Sequence, residues 1–129
     1  MSEIEIGQTG EALCRKVFGE MMAKSDAVYG VLVSSVDGHD VVHSFKSDLA
    51  SEKLSAMLGS MLALGQNIAE EADQKRCQFV IVENSDGYIL TLRLKEELVL
   101  SVIASTDANL GILHSLSRNG AERLASHLK

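Results

Sequence analysis

The order of apolar and polar positions divides the chain into eight segments. Leu13, Val17 and Met21 recur at helical spacing, and Cys14 and Phe18 widen their stripe, which predicts a first helix over 10–25. Glu11 falls in its expected first turn, where the helix dipole favours an anion. Residues 28–34, Val-Tyr-Gly-Val-Leu-Val-Ser, are short, β-branched and apolar, the signature of a buried strand. Asp37-Gly38 is a hairpin signal, because glycine accepts positive φ, and 41–45 is the return strand. Asp48 stands where an N-cap is needed for a second helix over 49–73. Three apolar runs follow at 78–82, 88–94 and 98–104. The connections Asn84-Ser85-Asp86-Gly87 and Lys95-Glu96-Glu97 are short enough to make them a meander. A last helix is expected from near Asp107, with Leu110, Leu113, Leu116, Gly120, Leu124 and Leu128 as its apolar face. Arg118, Glu122, Arg123 and Lys129 fall largely on its other side. The order α-β-β-α-β-β-β-α predicts an α+β fold, one five-stranded antiparallel sheet flanked by helices, as a single domain over 1–129.

The middle helix carries more apolar surface than one sheet face can cover. Leu54, Met57, Met61, Leu64 and Ile68 form one stripe, and Leu58, Leu62 and Ala69 lie beside it. Ser55, Gly59 and Ala63 recur four apart, a seam of small residues that lets another helix approach. Glycine inside a helix costs about 1 kcal/mol relative to alanine, so Gly59 and Gly65 call for a packing reason. Two readings stand side by side. Either this is the core helix of a monomer, or one stripe meets the sheet and the other meets a second copy. The second is the working expectation, since only two other helices are available to cover the rest. It assigns the first stripe to the sheet. The interface then takes Ser55, Leu58, Gly59, Leu62 and Ala63, together with Gln78, Phe79, Val80, Ile81 and Val82 if that strand lies at a sheet edge. A strand covered within its own domain is the other possibility for 78–82.

Composition narrows the function. The 129 residues are 46% hydrophobic and 23% charged, with no proline, a globular composition. A net charge of −6 with no basic cluster longer than Lys75-Arg76 argues against nucleic acid and anionic membrane as partners. Cys14 and Cys77 have no CxxC or Cys/His spacing, so free thiols are expected rather than a zinc site. Met1-Ser2-Glu3-Ile4-Glu5 lacks the basic-then-apolar pattern of a signal peptide. No apolar run nears the ~20 residues that span a bilayer, and a cytoplasmic location is expected. Neither GxxxxGK[ST], nor GxGxxG after a strand, nor GxSxG occurs. His39 and His43, beside Asp37 and Asp40, would share one face of a strand, but a polar hairpin tip is the simpler reading of that cluster. Glu52, Glu70, Glu71, Asp73, Glu96 and Glu97 read as solvated charges at element ends. No catalytic residues, metal or cofactor are assigned.

Taken together, Val31-Leu32-Val33-Ser34-Ser35-Val36-Asp37-Gly38, the closing strands Leu90-Thr91-Leu92-Arg93 and 98–104, and Asp107-Ala108-Asn109-Leu110-Gly111 before a helix reaching Ala121-Glu122-Arg123-Leu124 resemble the roadblock/dynein light-chain family. The resemblance runs from about Gly10 to Leu128 and implies a profilin-like fold. It further implies a non-enzymatic homodimer joined edge to edge through 78–82, with the long helices side by side, that binds and regulates or scaffolds a small Ras-like GTPase. Bacterial members of the family work beside a bacterial Ras-like GTPase, and others are dynein-associated light chains. The family supplies no catalytic set, so Arg76, Arg93, Arg118 and Arg123 are candidates for contact by charge type alone. A small-ligand sensory domain, with a closed apolar cavity, and a metalloprotein using His39 and His43 are the competing readings.

Overall fold

The computed structural model describes residues 7–128. Met1–Glu5, read above for a signal peptide, and Lys129 lie outside them. The elements are α1 (Gly7–Lys24), β1 (Val28–Ser35), β2 (Asp40–Phe45), α2 (Ser51–Glu71), β3 (Val80–Asn84), β4 (Gly87–Lys95), β5 (Leu98–Ser105) and α3 (Leu110–His127). The order is the one the sequence pattern predicts. All five strands join one antiparallel sheet in the order β2-β1-β5-β4-β3. The central strands β1 and β5 are almost wholly buried, as expected for apolar runs flanked on both sides.

Strand alternation sorts the sheet into two faces. Val31, Val33, Leu90, Leu92, Leu100 and Val102 stand in register on one face, under α1 and α3. There they join Cys14, Phe18, Leu113 and Leu124 in a continuous apolar core. Leu32, Thr91, Val99, Ser101 and Ile103 point the other way, toward α2, whose buried residues are Ser55, Leu58, Gly59, Leu62 and Ala69.

Three helix starts differ from expectation. α1 begins at Gly7, so Glu11 lies beyond its first turn and instead pairs with Arg15 one turn on, at 2.9 Å. Asp48 does not cap α2. Ala50 holds that position without a side-chain hydrogen bond, and the start of the helix is tied to the sheet by Ser51 Oγ, which donates to Asp40 Oδ2 at 2.7 Å. Asp107 does not cap α3. Asn109 Oδ1 accepts from Ile112 N at 3.0 Å and starts that helix two residues later. The exit of α2 is also distinctive. Asp73 takes a left-handed φ of 59°, while Gln74 N bonds to Ala69 O and Asp73 N to Glu70 O. That is the wrapped helix ending usually built on glycine.

Candidate functional site

The middle helix is turned the opposite way from the sequence expectation. Ser55, Leu58, Gly59 and Leu62 face this chain's own sheet, and Ala63 is exposed. Met57, Leu64 and Ile68, assigned above to the sheet, are exposed at 66%, 58% and 58%. The cause lies in the β1–β2 hairpin. A Cβ on Gly59 would sit 3.0 Å from Val36 O, and one on Gly38 (φ +97°) 3.0 Å from the Ala56 Cα. The small residues therefore admit the hairpin tip rather than another helix. Of the stripe of larger residues, Met57, Leu64 and Ile68 turn outward, while Leu54 and Met61 are half-buried.

The two sheet edges differ. On β2, Arg15 Nη1 from α1 donates to His43 O at 2.8 Å, so an edge carbonyl is already occupied. β3 lies at the other edge and has neither lysine nor proline among Val80, Ile81 and Val82 to discourage pairing. Ile81 is 41% exposed. A shallow recess runs from Ile68 on α2 past Val80 and Ile81 to His114 on α3, so the outward stripe of α2 and the open edge form one surface. Gln78 and Phe79 do not join the strand. The ladder stops at Val80–Thr91, because the Phe79 ring turns onto α3. There it stacks on His114, with centroids 4.1 Å apart, and lies under the Arg118 guanidinium at 5.0 Å.

The hairpin cluster behaves as a structural brace. Asp40 Oδ2 receives both Ser51 Oγ and His43 Nδ1, the latter at 2.9 Å. His39 sits in the turn, 4.0 Å from Asp37. β2 begins only at Asp40, so the alternation that would align His39 with His43 does not extend to His39. Ser51 bonds the carboxylate and not the imidazole, which is the wrong connection for a serine nucleophile. The described residues contain no group of three or more His, Cys, Asp or Glu placed to hold a metal ion. Ser35 Oγ donates to Asp37 Oδ1 at 2.6 Å and holds that carboxyl below the usual range. Burial, reinforced by Glu11, pushes the Cys14 thiol up. Both cysteines are free.

Of the four arginines singled out by charge, Arg123 pairs with Glu20. The other three, Arg76, Arg93 and Arg118, all line one recess of ≈ 290 Å³ between the α2–β3 connection, the end of β4 and α3. Sequence reasoning did not foresee that shared recess, since they come from three separate elements. No helix among the described residues is long and apolar enough to cross a membrane.

Comparison with known proteins places this geometry. The chain superposes on a structure described as MglB with tetrameric arrangement, with a TM-score of 0.91 and 16% identity over 99% of this chain and 97% of that one. The gliding protein MglB from Thermus thermophilus gives 0.90 and 15% over 99% and 98%. Acanthamoeba castellanii profilin II is a more distant likeness, with 0.53 and 14% over 81% and 87%, in keeping with the profilin-like architecture. No curated protein matches the sequence. The family model of the Roadblock/LC7 domain matches residues 18–104, from the buried middle of α1 through β5, and the chain therefore belongs to the Roadblock/LC7 family.

Proposed function

We propose that this chain is a non-catalytic homodimeric scaffold or regulator that binds a small Ras-like GTPase. Roadblock/LC7 domains are in general regulatory rather than catalytic. The observation that carries the reading is the outward apolar stripe of α2, continuous with the unprotected β3 edge. Burying one large apolar side chain is worth about 1.5–3 kcal/mol. Met57, Leu64 and Ile68 on each of two copies represent a substantial driving force. The proposed interface uses these three residues, with Ala63 and the edge around Val80, Ile81 and Val82. Leu58 and Leu62 serve the chain's own core. Self-association is in keeping with the tetrameric arrangement described for one MglB structure.

The two recesses beside β3 are open, unlike the closed apolar cavity that the sensory-domain reading expects. The GTPase reading is tested by pull-down of a cognate small GTPase loaded with GDP or a non-hydrolysable GTP analogue. A hydrolysis assay with and without this protein follows. Retention in at least one nucleotide state is expected; retention in neither contradicts the proposal.

A further inference from the structure

β3 is shorter than its neighbour, and this leaves a notch. The β3–β4 ladder runs from Val80–Thr91 to Asn84–Gly87, while β4 continues to Lys95. From Leu92 to Lys95, β4 therefore has no strand on its outer side. The α2–β3 connection passes there instead, and the recess of ≈ 290 Å³ opens between it and α3. Its floor is apolar, made of Leu92, Leu94 and Ala121, all nearly buried.

The walls are cationic. Lys75, Arg76, Arg93, Lys95 and Arg118 line this recess and the one adjoining it. These are five of the chain's 12 lysines and arginines, in a protein of net charge −6. Among the described residues none of the five forms a salt bridge, whereas Arg15 and Arg123 each do. Like charges gathered without partners repel one another, and the arrangement stands to gain from an anion.

The arginines are also held in place. Arg118 lies over the Phe79 ring. Arg93 Nη1 donates to Glu96 O at 2.8 Å, leaving its other donors free. Arg76 sits on a tethered connection. The Gln66 side chain donates to Lys75 O at 2.9 Å and accepts from Cys77 N at 3.0 Å, and Lys75 itself has a φ of 72°. The Arg93 and Arg118 guanidinium groups, each with one partner, lose less freedom on binding and match the geometry of phosphate oxygens, while at Arg76 it is the backbone that is fixed.

We propose that this notch is a binding site for a compact phosphorylated small molecule, one carrying a pyrophosphate or two neighbouring phosphate groups. The volume suits a small ligand rather than a folded partner. Glu96 and Glu122 stand among the same lining residues. They interrupt the positive surface, so an extended polyanion such as nucleic acid meets charges of its own sign, while a compact anion reaches the arginines between them. The inference stands apart from GTPase binding, and either can fail alone.

The test is calorimetric titration of the full chain with inorganic pyrophosphate, with inorganic sulfate as a probe of general anion affinity. Saturable binding of pyrophosphate is expected, tighter than sulfate and weakened by added salt. Arg76→Gln and Arg118→Gln should each weaken it about tenfold, the scale of one charge-assisted contact. Arg15→Gln, at the opposite edge of the sheet beside β2, should leave it unchanged. Glu122→Gln should tighten binding about threefold, a gain that misfolding does not produce. The proposal is overturned if pyrophosphate fails to saturate the protein, or if sulfate binds equally well. It is overturned equally if Arg15→Gln weakens binding as much as Arg76→Gln, or if Glu122→Gln leaves binding unchanged or weaker.

Discussion

The two faces of the sheet are built on different plans. The face under α1 and α3 is covered by two helices and is filled with large aliphatic and aromatic side chains at or near zero exposure, Phe18, Leu90, Leu100, Leu113 and Leu124 among them. The face under α2 is covered by a single helix. Hydroxyls lie beneath it, with Thr91 and Ser101 joined at 3.0 Å, and Ser34 Oγ is buried without a partner. One face is closed. The other is built for close approach by backbone and leaves Met57, Leu64 and Ile68 facing out. The contrast separates what holds the chain together from what is free to bind.

The closed face should be the more sensitive to truncation. Leu90→Ala or Phe18→Ala should each cost about 3–5 kcal/mol, because the dense packing leaves a cavity that cannot collapse. Chemical denaturation measures this directly. On the α2 face, Gly59→Leu should cost about 1–3 kcal/mol by overpacking against Val36 O. This substitution sharpens the comparison. A helix–helix seam would make it change mass, whereas the observed packing makes it change stability.

That inversion marks the limit of what the sequence reveals. The eight elements were legible because their signals are local: short β-branched apolar runs in β1 and β5, helical spacing in α1 and α3. The orientation of α2 was not. Apolar residues at 54, 57, 58, 61, 62, 64 and 68 surround much of that helix, so periodicity leaves the inward side open. The deciding contact is Gly59 against the tip of a hairpin some twenty residues earlier. Similarly, 78–82 reads as one apolar strand, yet Phe79 leaves the ladder for His114 and Arg118, partners on α3 that spacing cannot reveal. The arginine notch is hidden for the same reason, since it exists only once β3 ends short of β4. The helix caps were misread by two residues because aspartate near a helix start resembles the cap itself. At α2 no side-chain cap is made at all.

Titration should separate the two faces more gently. Cys14, in the closed core, has its thiol raised by burial. It favours the folded state below the ordinary thiol range, and that contribution disappears as pH rises through the raised folded value. Alkylation of the native protein should therefore modify Cys77 well before Cys14, and equal rates would show the closed face to be open. Asp37, in the turn against which α2 packs, has the opposite sign. Its carboxyl is lowered by the Ser35 hydroxyl. Its contribution is present above the ordinary carboxylate range and is lost as pH falls through the lowered folded value. Ser35→Ala should flatten that acid limb slightly, as measured by denaturation midpoints below neutral pH.

The central claim is that the outward stripe of α2 is a surface for another copy of this chain. Light scattering of the unmodified protein and of the triple variant Met57→Lys, Leu64→Lys, Ile68→Lys tests it most directly. The account predicts at least twice the chain mass for the former. For the latter it predicts the monomer mass with native circular dichroism, because exposed substitutions away from the core change stability by only about 0.5 kcal/mol each. A monomeric unmodified protein, or a triple variant that folds and keeps the larger mass, would contradict it.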